Sequence, residues 1–211
     1  MLTRTEGIVI KRIPYTDSSA VVHIYTKENG LVPFLVQGLG KAKSKVAYYQ
    51  IGQLLEINYN HKSSGGLNRI REVTLLNGYQ LPVDFHKQQL LFFYIEVIQQ
   101  SVEEAHADHD FFNFAIQQFT DLEQNFNLSW APIIFLMGIS KTLGYGASEH
   151  MLFPHDGDLR DIIQLLNERQ IPKGNKNMRR LILNRLIKYF ESDIFSGKTL
   201  KSVEILQELN D

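Results

Sequence analysis

Short runs of β-branched and aromatic residues, separated by turn-forming residues, fill the first eighty positions of the chain. Asn29 and Gly30 mark a tight hairpin, because both residue types tolerate a positive φ. The predicted strands cover residues 6–13, 20–26, 31–36, 53–59 and 67–76. Five short strands with no convincing helix among them predict a small closed barrel or a sandwich.

Beyond Pro82 the spacing of apolar residues changes from two to about 3.6, which is the period of an α-helix. Asp84 and Ser129 are the expected N-caps of the first and third helices, and Gly144 is the expected C′ residue of the third. The third helix is apolar nearly all round, so we expect it to be central in a bundle. The predicted helices cover residues 84–104, 110–124, 130–143, 158–168, 175–192 and about 201–209.

The change of period at Pro82 divides the chain into two predicted domains. Residues 1–80 are expected to form a nucleic-acid-binding domain, for which an OB-fold β-barrel is the natural architecture. Residues 81–211 are expected to form an all-helical domain that docks partners. The predicted fold class is therefore α+β, with the barrel preceding the helices.

The charge of the chain is divided in the same way. The net charge is −1, but residues 1–80 hold ten Lys/Arg against five Asp/Glu, while the rest of the chain is acidic. Such an asymmetry indicates that the first part meets a polyanion. The chain has no cysteine and no membrane-length apolar run, and its first residues do not resemble a signal peptide. We therefore expect a cytoplasmic protein that contacts no membrane.

A lysine-rich segment follows the third predicted strand and carries the main functional signal. Lys41, Lys43 and Lys45 follow Gly38 and Gly40, and would lie on the rim of the barrel. The spacing does not match a nucleotide-binding P-loop, so the expected ligand is the backbone of a nucleic-acid strand. The alternative is a solvated surface loop. Further cations are expected on neighbouring strands, namely Lys11, Arg12, Arg69 and Arg71.

Two tyrosines follow this segment directly. Tyr48 and Tyr49 are positioned to stack on bases, but small barrels bury aromatic residues, so core packing is the favoured interpretation.

A second basic tract covers residues 169–188, which hold seven Lys/Arg and no acid. Met178, Ile182, Leu186 and Tyr189 are expected to face the core, while a polar stripe recurs every four residues on the opposite side. A cationic helix face beside apolar surface suits an acidic, hydrophobic peptide. The alternative is a solvated face that balances the acidic helices at 84–123. The predicted partner-binding residues are Lys176, Arg179, Arg180 and Lys188.

Two clusters of histidine and carboxylate are candidate metal or catalytic sites. One covers residues 106–110, and the other joins 149–150 to 155–158. Both resemble interhelical turns and N-caps, in which Asp is favoured for backbone hydrogen bonding. Patterns typical of hydrolases are absent from the sequence, so we expect no cofactor, no metal and no enzymatic activity.

The order and spacing of several short motifs resemble the RecO family of DNA repair proteins along nearly the full chain. In the helical part, Leu143-Gly144-Tyr145 and Leu200-Lys201-Ser202 are similar to the family's helix boundaries. The N-terminal motifs are Glu6-Gly7-Ile8-Val9-Ile10, Tyr15-Thr16-Asp17-Ser18, Tyr25-Thr26 with Gly30, and Gly38 with Lys41 and Lys43-Ser44.

The resemblance implies an OB-fold followed by helices, binding to single- and double-stranded DNA, and annealing of complementary strands in recombination. It also implies association with the nucleoid and work with RecR and single-stranded DNA-binding protein (SSB) in RecA loading. The lysines at 41, 43 and 45 would contact phosphates, and the basic helix would receive the acidic C-terminal tail of SSB. Many relatives carry a four-cysteine zinc module, but residues 146–174 contain no cysteine here, so zinc is not expected.

Three functions thus follow from the sequence. The preferred one is a DNA-annealing and recombinase-loading factor. The second is an RNA-binding OB protein without catalytic activity, and the third is a hydrolase that uses the His and Asp clusters.

Overall fold

The computed structural model forms two compact units. It describes residues 2–39, 43–60, 66–76, 78–102, 106–124, 128–146, 148–168, 170–203 and 206. The sheet unit comprises Met1–Leu81 and Val102–Thr120, and the helical unit comprises Pro82–Ser101 and Asp121–Asp211. The fold is α+β, as predicted. The predicted division into domains at residue 80 stays a prediction.

The sheet unit is built on one five-stranded antiparallel sheet with the order β3-β2-β1-β4-β5. All five predicted strands are present. β1 is the central strand of the sheet. Its first half pairs with β4, and its second half pairs with β2. The strands are β1 (Leu2–Thr16), β2 (Ser19–Thr26), β3 (Gly30–Gln37), β4 (Leu54–Asn60) and β5 (Ile70–Leu75).

The sheet curls so that its two edges approach each other, but it does not close into the predicted barrel. A single parallel bridge joins Phe34 of β3 to Asn68, just before β5. Its two hydrogen bonds run from Leu35 N to Asn68 O (2.9 Å) and from Asn68 N to Pro33 O (3.0 Å). Among the described residues the β3–β5 ladder extends no further, so the architecture is an OB-like sheet.

A short helix within the first eighty residues was not predicted. Helix α1 (Lys43–Tyr48) lies between β3 and β4 and contacts β5. It is only six residues long and begins Lys-Ser-Lys, so it has no apolar stripe long enough to reveal the helical period. Val46 and Tyr48 nevertheless pack against the sheet core.

The concave side of the sheet holds one apolar core. Phe34 meets Tyr59 edge to face, with ring centroids 4.9 Å apart, and Asn29 Nδ2 donates to the Tyr59 hydroxyl at 2.8 Å. Burial raises the pKa of Tyr59. The core comprises Val9, Ala20, Val22, Ile24, Val32, Phe34, Val36, Leu39, Tyr49, Leu55, Ile57 and Tyr59.

Another surface of the sheet is covered by a helix from later in the chain. Tyr25 of β2 packs against Phe111 and Phe112 of α3 (His109–Glu123), with ring centroids 5.7 and 5.8 Å apart. The backbone of His106, just before this helix, lies so close to Gly30 that a side chain at Gly30 would overlap it. The residues of α3 up to Thr120 therefore complete the sheet unit.

The helical unit contains the other predicted helices, together with a short one that was not predicted, α5 (Glu149–Leu152). The helix predicted at 175–192 is α7 followed directly by a π-helix (Phe190–Ile194). The last predicted helix, at 201–209, lies mostly outside the described residues. The remaining helices are α2 (Phe85–Ser101), α4 (Ala131–Thr142), α6 (Gly157–Asn167) and α7 (Lys176–Tyr189).

The predicted helix boundaries are confirmed at several caps and wrong at one. Asp84 accepts from Lys87 N at 3.1 Å, and Gly144 follows the C-cap Leu143 with φ +79°. The N-cap of α4 is Trp130, not Ser129, and no side chain caps it. A proline in the first turn removes a backbone N–H there, which lessens the need for a cap.

Helix α4 is central to the helical unit, as its apolar sequence predicts. Eight of its twelve residues are buried. Phe135 stacks on Tyr94 of α2 with centroids 3.9 Å apart, and burial raises the pKa of Tyr94 well above its ordinary value. Glu96 of α2 accepts hydrogen bonds from the backbone N–H groups of Lys201 and Ser202, which fixes the start of the C-terminal segment.

No helix in the described part of the chain is both long and apolar enough to cross a membrane.

We expect Gly30→Ala to destabilise the protein by about 2 to 3 kcal/mol, because a methyl group there meets both a positive φ and the His106 backbone. Gly78→Ala is the matched control, since Gly78 has φ +84° but no atom of the described residues lies within 4 Å of its missing Cβ. It should cost about 1 kcal/mol. Urea unfolding followed by circular dichroism measures both, and equal losses would contradict the role assigned to the His106 contact.

Candidate nucleic-acid interface

The lysine-rich segment is anchored to the β1–β2 turn. Leu39 N donates to Ser18 O at 2.9 Å, and the Leu39 side chain is buried in the sheet core. The turn itself is tied by a 2.6 Å hydrogen bond between the hydroxyls of Thr16 and Ser19. The chain therefore enters the lysine-rich segment directly beside the β1–β2 turn.

The three predicted phosphate-binding lysines lie in or just before α1. Lys41 lies outside the described residues, and so do the side chains of Lys43 and Lys45, whose backbones begin α1. The far end of α1 is anchored, because Tyr49 is 2% exposed and burial raises its pKa to about 12. The predicted core role of Tyr49 is confirmed, and Tyr48 is partly buried against the same core.

Lys11 and Arg12 lie on β1, five and four residues before its end at Thr16, and Arg12 lines the groove beside the turn. An irregularity in the β1–β2 ladder falls between Val9 and Lys11, and Arg12 pairs with Val22. Lys11 is exposed and Arg12 is half-buried. Val22 in turn pairs with Phe34, which bridges to Asn68, so one row of residues crosses from Arg12 to the far edge of the sheet.

Arg69 and Arg71 follow Asn68 at that edge, and both are exposed. Arg71 lies at an irregularity of the β4–β5 ladder and has no partner in its register. Because the bridge to Phe34 is parallel, β5 leaves it in the direction in which β3 runs toward Gln37 and the lysine-rich segment. Arg69 and Arg71 thus follow the Asn68 bridge, on a stretch of chain that runs toward the lysine-rich segment. We call the whole set of predicted cations the basic rim: Lys11, Arg12, Lys41, Lys43, Lys45, Arg69 and Arg71.

The described members of the basic rim are not held in ion pairs, although Asp17 lines the same groove as Arg12. Within the described residues, none of Lys11, Arg12, Arg69 and Arg71 forms an ion pair. Three acids of the sheet unit pair with other groups: Glu56 with Arg4, Glu6 with Lys27 and Glu28 with His109.

Two of these ion pairs lie near the turn between β2 and β3. The β1–β2 turn is at the other end of β2, seven residues away, which is about 23 Å along a strand. These two ion pairs thus lie at the end of β2 away from the β1–β2 turn, where Asp17 is the carboxylate that lines a groove with Arg12.

An aspartate in each of the two His/Asp clusters caps a helix. Asp108 accepts from Phe111 N at 2.9 Å, and Asp156 accepts from Leu159 N at 3.0 Å, so each caps a helix. No group of three metal-ligating side chains forms among the described residues. The side chains of Glu149 and His150 lie outside them.

The second predicted site lies on α7 in the helical unit. Lys176, Arg180 and Lys188 are exposed, as the four-residue spacing predicts. Within the described residues, neither Lys176 nor Lys188 forms an ion pair. A groove runs beside the helix and has apolar walls and a cationic edge. Its lining residues are Ser129, Pro132, Ile133, Lys176, Arg179, Arg180, Leu183 and Asn184.

Arg179, which lines this groove, has a structural role. Its Nη1 donates to Gly174 O at 2.7 Å, and its guanidinium lies 5.8 Å from the centroid of the Trp130 ring. Arg179 therefore fixes the loop before α7 onto α4's first turn. Its contribution to partner binding stays a prediction.

A second groove continues along α7 from Asn184, which lines both. Lys188, Lys201 and Glu191 border it, and Ile187, Leu200 and Val203 provide apolar surface. Sequence reasoning did not identify this groove, because the C-terminal residues that form one side are far away along the chain.

Sequence reasoning also missed a groove beside the β1–β2 turn. It is lined by Arg12, Pro14, Tyr15, Thr16, Asp17, Ser19, Ala20 and Leu39. Tyr15 stands out because its side chain is 66% exposed. The available signal was an aromatic residue placed between Pro14 and a polar turn.

Comparison with known proteins gives one consistent result. Residues 1–79 match the sequence model of the family described as Recombination protein O N terminal. The DNA repair protein RecO of Flavobacterium psychrophilum is 26% identical, and that of Flavobacterium johnsoniae is also 26% identical. The DNA repair protein RecO of Christiangramia forsetii is 24% identical. Each similarity covers 99% of this chain and 99% of the relative.

The family match covers the sheet with its five strands, and the relatives extend the similarity through the helical part. Both agree with the motifs around Gly7, Tyr15 and Gly38. The chain is therefore similar to RecO proteins, over residues 1–79 by the family model and over nearly its whole length by these relatives.

Proposed function

We propose that this protein acts in DNA repair and recombination by binding single- and double-stranded DNA along the basic rim. The observation that carries the proposal is the anchoring of Leu39, which precedes the lysine-rich segment, to Ser18 in the β1–β2 turn, where Leu39 and Arg12 line one groove. Lys11 and Arg12 of β1 have no ion-pair partners within the described residues. Cations that are not already neutralised release counterions when they meet phosphates, and this release drives binding.

The rim suits the phosphate backbone rather than a particular base sequence. Among its described members Lys11, Arg69 and Arg71 are exposed. Contacts from long cationic side chains to phosphates position a strand without reading it. A strand held by its phosphates keeps its base edges free to pair. Annealing of complementary strands follows from this arrangement, and it requires binding alone, with no catalytic step.

The helical unit is proposed to dock protein partners. The groove beside α7 combines the apolar side chains of Pro132, Ile133 and Leu183 with the cations Lys176 and Arg180. This combination suits the acidic C-terminal tail of SSB, because the tail brings both charge and apolar residues. With RecR as a second partner, the protein would help to load recombinase on SSB-coated DNA at the nucleoid.

Replacing Lys41, Lys43 and Lys45 together by alanine should weaken binding to single-stranded DNA of any sequence. The slope of log K against log salt should fall by about two units, since each phosphate contact contributes about 0.7 for a single strand. Fluorescence anisotropy with oligo(dT) across a salt series measures this slope.

The control for this experiment is the variant Lys141→Ala/Lys198→Ala, which removes two exposed cations of the helical unit. Its slope should match that of the unaltered protein. An unchanged slope in the triple variant would reject the lysine assignment. A strong preference for RNA over DNA of equal length would instead favour an RNA-binding function, since only a reader of the 2′-hydroxyl discriminates in that way.

Charge reversal on α7 should abolish capture of the SSB tail. In Arg180→Glu/Lys188→Glu the α7 face loses two cations and gains two carboxylates, while Lys176 and Arg179 remain at the groove. Affinity for a labelled tail peptide should therefore fall by at least tenfold while DNA binding is unchanged. Lys141→Glu, an exposed position at the end of α4, is the matched control. Retained peptide affinity in the double variant would mean that the α7 face is only solvated.

A further inference from the structure

The groove beside the β1–β2 turn differs in chemistry from the rest of the basic rim. One cation, Arg12, and one anion, Asp17, line it together, so it carries no net positive charge. Its apolar surface comes from Pro14, Ala20 and Leu39. A phosphate gains little in a site where a carboxylate offsets the guanidinium. A planar, uncharged base with hydrogen-bonding edges suits this groove better.

Tyr15 provides a surface on which such a base would stack. Its ring is 66% exposed, although it is a large aromatic residue on a sheet whose other tyrosines, Tyr25 and Tyr59, are fully buried. No ring contact or hydrogen bond of its side chain occurs within the described residues. An exposed aromatic ring next to a phosphate-binding surface is the usual platform for single-stranded nucleic acids.

The backbone is held firmly around this ring. Thr16 and Ser19 are joined through their hydroxyls, and Leu39 N is bound to Ser18 O. Leu39 lines the groove, and the lysine-rich segment follows it directly. A DNA strand with one base in the groove would therefore have its neighbouring phosphates close to the lysine-rich segment, and the protein backbone would not need to move.

We propose that Tyr15 is a base-stacking residue, and that the groove it forms with Arg12, Asp17 and Leu39 receives one unpaired base of a single strand. This inference rests on the proposed DNA binding and adds a source of preference for single strands over duplex. In a duplex the bases are already stacked and paired, so none is available to the tyrosine ring.

The test compares Tyr15→Ala with Tyr15→Phe on three ligands: oligo(dT), an abasic oligonucleotide of equal length and a blunt duplex. Tyr15→Ala should bind oligo(dT) about tenfold more weakly, the effect of one lost stacked base. Binding to the abasic strand and the duplex should stay within about twofold, because phosphate contacts are unchanged. Tyr15→Phe keeps the ring and should match the unaltered protein.

Tyr145→Ala is the matched control, because Tyr145 is another exposed tyrosine, at 50%, in the helical unit. It should bind all three ligands normally. Both alanine variants should keep the unfolding midpoint of the unaltered protein, since neither ring is buried.

The outcomes separate the inference from the function on which it rests. If the unaltered protein fails to bind oligo(dT), the proposed function is wrong. If it binds but Tyr15→Ala binds equally well, the stacking role alone is wrong. Equal losses on the abasic strand and oligo(dT) would assign Tyr15 to the backbone and overturn the base site. Loss of a protein partner with intact DNA binding would make the turn a protein-docking surface instead.

Discussion

The parallel bridge between Phe34 and Asn68 determines how the sheet unit presents its charge. Without it, a five-stranded antiparallel sheet with the order β3-β2-β1-β4-β5 would leave its two edges far apart. The bridge curls the sheet around a single apolar core and brings the start of β5 to β3. Two backbone hydrogen bonds thus bring Arg69 and Arg71 to the strand that leads into the lysine-rich segment.

The strands and long helices were predictable because their apolar spacing extends over enough residues to be read. Helix α1 was not, since its six residues carry lysines at the start and apolar residues only at the end. Closure of the barrel was also predicted wrongly, because strand patterns show which faces are buried and not how far two edge strands pair. Ser129 was the wrong cap because Trp130 and the following proline start α4 without a side-chain hydrogen bond.

The site was predictable to the extent that it depends on charge. Lysines at a spacing of two and a basic helix can be recognised in a sequence, and the exposure of Lys176, Arg180 and Lys188 agrees with the predicted polar stripe. The sequence does not show which contacts a side chain already makes within the protein. Arg179 looks like its neighbours in sequence, yet it holds Gly174 O and covers Trp130. Tyr15 gave no periodic signal, because it is a single residue at a turn.

The covering of the sheet by α3 has a practical consequence for any shortened form of this protein. The family match ends at residue 79, but Tyr25 is buried by Phe111 and Phe112, and Gly30 lies against His106. A fragment cut at the limit of the sequence match would leave that aromatic patch open to water and prone to self-association. A minimal fragment of the sheet unit therefore has to include Val102–Thr120, with a linker in place of the first helix of the helical unit.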